Sequence, residues 1–143
     1  MDFIPSTLWS RIPPVDEFAI QNGMNDYAQI LYNKRRLIPQ NINDEFERNP
    51  AFIEKAVRES DAEKIVVVTH HLPTFAAMED KHKGSVLNAA YATELGNFIA
   101  DSRISAWIYD HSHHRTDIMI GNPLGYVFCG ENDDFDDSAV IEV

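Results

Sequence analysis

The feature that most constrains the fold is an apolar run from Lys64 to Thr69, most of it β-branched valine and isoleucine. A run of this kind, with no alternating polar residues, is typical of a strand buried on both faces of an α/β sheet. The run from Ile104 to Tyr109 predicts a second strand. Between the two strands an apolar side at helical spacing predicts a helix, with Leu87, Tyr91, Leu95, Phe98 and Ile99 on it. Strand, helix and strand in this order predict a parallel pair joined by a crossover, the basic unit of an α/β fold.

Further elements are predicted on either side of this unit. Apolar spacing predicts a helix from Gly23 to Arg36, and Asn49-Pro50 followed by an apolar stripe predicts a helix that ends near Ser60. After the second strand, three short candidate strands at 117–120, 124–129 and 139–143 predict an antiparallel meander. The chain has no internal repeat, so we expect a single domain over residues 1–143.

Composition excludes several classes of function. The chain has 143 residues, 44% of them hydrophobic, which suits one domain with an ordinary core. No apolar run approaches the roughly 18 residues of a membrane span, so we expect no membrane association. Cys129 has no partner for an internal disulfide, which favours a cytoplasmic location. With 23 acidic against 12 basic residues, the net charge of -11 argues against a preference for nucleic acid.

Five of the six histidines form two clusters, each directly after a predicted strand: His70-His71 and His111–His114. Ligands of open α/β sheets bind at the carboxyl ends of the strands, so both clusters are expected in one crevice. Imidazole is a common ligand for zinc, manganese and iron. His111 and His113 point the same way if the backbone is extended, and with His70 they predict a metal site. Adjacent strand residues face opposite sides; His70, at the end of the strand, is favoured over His71 as the inward one.

The order of four segments resembles the C-terminal half of calcineurin-like metallophosphoesterases. These segments are Val66–Pro73, Asn88–Leu95, Trp107–His114 and Gly121–Tyr126. Thr7–Ser10 also resembles a mid-chain strand of bacterial members, so the likeness covers nearly the whole chain. The resemblance implies an α/β fold with mixed β-sheet layers and flanking helices, the C-terminal half of a four-layer sandwich. It also implies metal-dependent hydrolysis of phosphoric mono- or diesters.

Carried over by position, the resemblance implies that His70 and His111 bind one divalent ion, with Mn, Zn or Fe as candidates, and that His113 binds a second. The family's N-terminal motifs supply the remaining ligands, including a carboxylate that bridges the two ions. These motifs (Asp-x-His, Gly-Asp-x-x-Asp and Gly-Asn-His-Glu) are absent from the expected positions. Asp80-Lys81-His82 matches the first motif as a string, but it follows a late strand instead of an opening one. We therefore expect an incomplete dinuclear site that holds at most one ion tightly.

Four more residues near the histidines have two interpretations each. Asp110 stands where the family has a glycine. Its carboxylate could orient a metal-binding imidazole through the ring nitrogen that is not a ligand, or it could face solvent. His71 and His114 could contact a substrate phosphate or lie on a polar rim. Arg115 has the same two interpretations, and the N–H donors of its planar guanidinium group match the geometry of a phosphate.

Two functions follow from these expectations. The first is a phosphoesterase, acting on small phosphate esters, whose N-terminal half is missing from this chain. The alternative is a non-catalytic remnant of that family that serves metal binding or assembly. A half-fold exposes an apolar face and an open sheet edge, so we expect self-association or pairing with another chain.

Overall fold

The computed structural model describes residues 1–111, 120–121, 136–140 and 142, and over these residues the chain has an α/β fold. The strands are β1 (Asp2–Ser6), β2 (Leu31–Tyr32), β3 (Arg35–Arg36), β4 (Ile65–Thr69), β5 (Ala106–Tyr109) and β6 (Ile120–Gly121). The α-helices are α1 (Glu17–Gly23), α2 (Asp26–Gln29), α3 (Pro39–Phe46), α4 (Asn49–Glu59) and α5 (Gly96–Asp101). Short 3-10 helices at Phe75–Ala77, Asp80–His82 and Val86–Ala90 lie between β4 and α5. Within these ranges no helix combines the length and hydropathy that crossing a membrane requires.

The main sheet has the strand order β1-β4-β5-β6, and every neighbouring pair in it is parallel. Strand β4 lies between β1 and β5, with Val67 paired to both Ile4 and Trp107. Ile65, Val66 and Val67 are buried, which confirms the predicted strand with two covered faces. Because the strands run in one direction, their carboxyl ends meet at one edge of the sheet, where the histidines follow.

The predicted helix from Gly23 to Arg36 is wrong. Helix α1 ends at Gly23, α2 covers only Asp26–Gln29, and β2 and β3 form a hairpin. Asn33 and Lys34 adopt positive φ angles of 51° and 66°, as the central residues of a type I′ hairpin turn do. The apolar spacing that suggested one helix comes from side chains of short elements that share a core.

The predicted helix through Leu87 and Ile99 is interrupted. Val86–Ala90 is a 3-10 helix, Ala92 forms a parallel bridge with Leu72, and α5 begins only at Gly96. The extended backbone at Ala92 is held by tertiary hydrogen bonds to the segment after β4, which local periodicity does not reveal. In contrast, the predicted helix from Asn49 to about Ser60 is confirmed as α4.

The expected C-terminal meander is described only in part. Strand β6 pairs in parallel with β5, so it extends the main sheet. The described residues of the candidate strand 139–143 are not in a strand, and the candidate strand 124–129 lies outside the described residues.

Buried apolar side chains of the described residues form three clusters. The first cluster joins α4 to the sheet and contains Ile4, Leu8, Ile53, Val57, Ile65, Val67 and Trp107. The second packs the segment after β1 against α1, α2 and α3 and contains Ile12, Ile20, Tyr27, Leu37, Ile42 and Ala90. The third lies under the segments that follow β4 and β5 and contains Leu72, Ala77, Met78, Ala92 and Tyr109.

Candidate metal centre

Three histidines meet at the carboxyl ends of β4 and β5. One ring nitrogen each from His70, His71 and His111 lies within 4.8 Å of the other two. The two segments are joined through the backbone, because the amides of Asp110 and His111 donate hydrogen bonds to the His70 carbonyl at 3.3 and 3.0 Å. Neighbouring parallel strands thus bring together imidazoles that are 40 residues apart in the sequence.

His70 and His111 are in direct contact. Nε2 of His70 lies 2.8 Å from Nδ1 of His111, a hydrogen-bond distance, so one ring donates an N–H and the other accepts. The side chain of His70 is 47% exposed and forms the outer part of the group. An ion bound by both nitrogens would replace this hydrogen bond.

Asp110 lies on the opposite side of the His70 ring. Its Oδ2 atom is 3.9 Å from Nδ1 of His70, while Nε2 of the same ring faces His111. Histidines that bind metals commonly have a carboxylate near the ring nitrogen that is not a ligand, where it favours the tautomer needed for coordination. The Asp110 side chain is also 57% exposed to solvent, so both of its predicted interpretations stay open.

His71 forms the buried part of the group. Only 2% of the residue is exposed, and its ring centroid lies 4.6 Å from that of His111 and 5.2 Å from that of His70. The edge of the Trp9 ring packs against it at 5.1 Å. Burial lowers the pKa of His71 well below its usual value, and repulsion from the other two imidazoles adds to this effect, while a hydrogen bond to the Leu8 backbone opposes it. His71 is therefore neutral, the form in which an imidazole binds metal.

One buried ring nitrogen of His71 is left unsatisfied. Nδ1 is buried and has no hydrogen-bond partner among the described residues. Leaving such an atom buried costs about 1 to 3 kcal/mol. A cation bound by Nδ1 would remove that cost.

Neighbouring side chains hold the group in place. Thr69 donates its hydroxyl hydrogen to the His71 carbonyl at 2.8 Å and accepts a hydrogen bond from the Trp107 indole at 3.0 Å. The ring of Tyr91 lies 4.6 Å from that of His111. The backbone after β4 is therefore fixed on both sides of the histidine pair.

A small cavity lies beside His71. It has a volume of about 10 Å³, room for about one water molecule, and is lined mainly by apolar residues of the second cluster, with Asp26 as its charged group. Tyr27 also lines it, and burial, followed by the charges of Asp26 and Glu17, raises the pKa of this phenol to about 12. The cavity is too small to hold a ligand larger than about one water molecule.

The structure brings together some of the predicted site residues. His70 and His111, predicted to share an ion, are in contact, with Asp110 beside them. The inward member of the first pair is His71, not the favoured His70, and it belongs to the candidate ligand group, a role outside its two predicted interpretations. The strand is apolar on both faces, so no alternation of polar and apolar residues indicated which histidine would turn inward. His113, His114 and Arg115 lie outside the described residues, so their roles stay predictions.

The chain matches no protein-family model, no curated protein and no solved structure.

Proposed function

We propose that this chain binds one divalent transition-metal ion through His70, His71 and His111. The observation that carries the proposal is the buried ring of His71: its Nδ1 atom has no hydrogen-bond partner among the described residues, and one nitrogen of the ring lies within 4.8 Å of nitrogens of two further imidazoles. A surface group of histidines would lack both the burial and the unsatisfied ring nitrogen.

The donor set favours particular metals. Three imidazole nitrogens suit zinc, iron and related ions, whereas magnesium and calcium prefer oxygen ligands. Within the described residues the group includes no carboxylate. We expect Zn²⁺ to bind most tightly among Zn, Fe and Mn, with at most one ion held firmly. Three protein ligands leave a fourth position for water, for substrate or for the predicted ligand His113.

We further propose that the activity is hydrolysis of phosphate mono- or diesters. The support is the resemblance of four segments to the C-terminal half of metallophosphoesterases, together with the exposed side of the histidine group. A bound ion would polarise a phosphoryl oxygen and stabilise the charge that develops during attack by water. His70 stands at the solvent side, where an ester would meet the ion, and Oδ2 of Asp110 lies 3.9 Å from its Nδ1 atom.

A non-catalytic metal-binding or assembly role is the second candidate. The observation in its favour is that the described ligand group consists only of neutral imidazoles, with no carboxylate to bridge a second ion. An ion held by these three residues would tie the ends of β4 and β5 together and stabilise the fold by binding only the folded state.

Metal binding is tested by titrating Zn²⁺ and Mn²⁺ into chelator-treated protein and measuring bound metal by calorimetry. We expect one Zn²⁺ per chain, and a loss of about 100-fold or more in affinity for His70→Ala, because one of three ligands is removed. His82→Ala is the matched control, since His82 is an exposed histidine outside the group. Equal affinities in the wild type, His70→Ala and His82→Ala would refute the site.

Catalysis is tested with an aryl phosphate monoester and the corresponding diester in the presence of Zn²⁺ or Mn²⁺. Hydrolysis by the wild type that the double variant His111→Ala His113→Ala loses would support the phosphoesterase. Equal rates in the two proteins would refute the phosphoesterase. If the wild type nevertheless binds metal, that result would favour the non-catalytic metal-binding role.

A further inference from the structure

The segment that follows β1 contacts His71 through three consecutive residues. The carbonyl of Thr7 accepts a hydrogen bond from the His71 amide at 3.1 Å. The Leu8 backbone bonds the His71 ring, and the Trp9 ring packs against it edge-on at 5.1 Å. One short stretch of chain therefore determines both the backbone position and the ring orientation of His71.

This segment has an unusual conformation at its centre. Leu8 has a φ of 54°, in the left-handed region that favours glycine, and its side chain is fully buried in the first cluster. A β-branched or bulky residue in this region persists only where its surroundings hold it, at a cost of about 1 to 3 kcal/mol. Contacts on both sides of Leu8 must therefore hold the turn.

The contact on the far side of Leu8 comes from α4. Oδ1 of Asn49, the first residue of that helix, accepts a hydrogen bond from the Trp9 amide at 3.0 Å, and Asn49 lies 40 residues away along the chain. On the near side, the Leu8 amide donates to the Ser6 hydroxyl at 3.1 Å. The left-handed turn is thus fixed between a strand end and a helix start.

We infer that Asn49 is a positioning residue for the metal centre. By holding the Trp9 amide, it maintains the turn from which the Thr7 carbonyl accepts the His71 amide hydrogen and the Trp9 ring packs against the His71 ring. These contacts keep the His71 ring beside His70 and His111, where the three rings can share an ion. The metal-binding part of this inference rests on the proposed function, whereas the control of the His71 ring does not.

A second asparagine offers a matched control within the same segment. Oδ1 of Asn43 accepts from the Ile12 amide at 2.8 Å, and its Nδ2 donates to the Ile12 carbonyl at 3.1 Å. These bonds are similar in kind to that of Asn49, but they act on a residue that packs in the second cluster, beyond the turn at Leu8. Removing them should weaken the fold without releasing His71.

The test compares Asn49→Ala, Asn49→Asp and Asn43→Ala by two measurements. The first is the ¹⁵N imidazole spectrum of His71 in chelator-treated protein, which reports the surroundings of its two ring nitrogens. The second is Zn²⁺ affinity. For Asn49→Ala we expect shifted His71 imidazole signals and a loss of about 10- to 100-fold in affinity, the range for residues that orient metal ligands. Asn49→Asp keeps an acceptor oxygen at the start of a helix, where a negative charge is favourable, and should restore both signals.

Asn43→Ala should lower the unfolding temperature while leaving the His71 spectrum and the zinc affinity unchanged. An unchanged His71 imidazole spectrum in Asn49→Ala would overturn the inference, and so would an equal loss of affinity in Asn43→Ala. If Asn49→Ala does not fold, Asn49→Leu, which keeps the volume but has no acceptor, takes its place under the same criteria. If the wild type binds no zinc, the proposed function fails, and the spectrum of His71 still decides the role of Asn49.

Discussion

Among single residues, His71 distinguishes this group from an ordinary patch of surface histidines. It is 2% exposed and lies between an aromatic ring and two other imidazoles, so protonation would place a charge in a poorly solvated site next to two further titratable rings. The backbone carbonyl at Leu8 offsets only part of this penalty. The pKa of His71 is low for that reason, and the residue is ready to bind a metal near neutral pH.

This lowered pKa predicts how stability depends on pH. Below the ordinary histidine value of 6.5, the unfolded chain binds a proton at His71 and the folded chain does not. The free energy of unfolding should therefore be highest above that pH and fall as the pH drops, by up to about 1.4 kcal/mol per pH unit for one histidine. Urea unfolding of chelator-treated protein between pH 8 and pH 5 measures this, and at the lower limit most carboxylates are still ionised.

The variant His71→Gln should lose most of this slope, because it removes the group that titrates differently in the two states. The exposed control His82→Ala should keep the slope. A wild-type stability that stays constant from pH 7 to pH 5 would contradict a buried neutral His71.

At the scale of elements, the β2–β3 hairpin shows a local conflict between residue type and backbone. Lys34 occupies the second central position of its type I′ turn with a φ of 66°, where glycine is preferred. Tyr32 anchors the hairpin to α3 by donating its hydroxyl hydrogen to Glu45 at 3.0 Å. Tertiary contacts of this kind hold the turn in spite of the residue at its tip.

Replacing Lys34 by glycine should therefore stabilise the protein. Relief of the left-handed conformation is expected to raise the free energy of unfolding by about 0.5 to 1 kcal/mol, because the exposed lysine side chain has no ion-pair partner among the described residues. Urea unfolding measures the change. Asn33→Gly is the control and should gain less, since asparagine tolerates positive φ better than lysine does. A destabilised Lys34→Gly would show that the lysine makes a favourable contact.

At the scale of the whole molecule, β1 forms an edge of the described sheet. The Asp2 amide donates to Lys64 at 2.9 Å, so alternate residues of β1 face β4, and the backbone groups of Phe3 and Pro5 face outward. Pro5 has no N–H, which removes one outward donor and makes the edge a poorer template for another strand. Phe3 beside it is 64% exposed, which makes the edge partly apolar.

We expect the exposed Phe3 ring, more than the outward backbone groups of β1, to mediate association with a second chain, and Phe3→Thr to weaken it. Sedimentation velocity at micromolar concentration should show a dimer or larger species, more abundant at higher salt, because salt screens the repulsion between chains of net charge -11. Phe18→Thr is the control, since Phe18 is 82% exposed but lies on α1, away from the edge. A compact monomer at all concentrations would contradict the prediction.

The sequence by itself determined the central strands and the presence of histidines at their ends. Strands β4 and β5 are buried on both faces, and such burial requires a continuous apolar run that is visible without a structure. Helix α4 was likewise predictable, because its start is marked by Asn49-Pro50 and its apolar stripe is regular. These features depend on residues that are close in the sequence.

Only the tertiary structure decided which histidine is buried, where the helices break and what orients the site. The extended backbone at Ala92 and the inward turn of His71 depend on hydrogen bonds to segments 20 or more residues away. The contact between Asn49 and Trp9 joins residues 40 positions apart. Local patterns contain no information about such partners, because the energy that selects these conformations exists only once the distant segments have met.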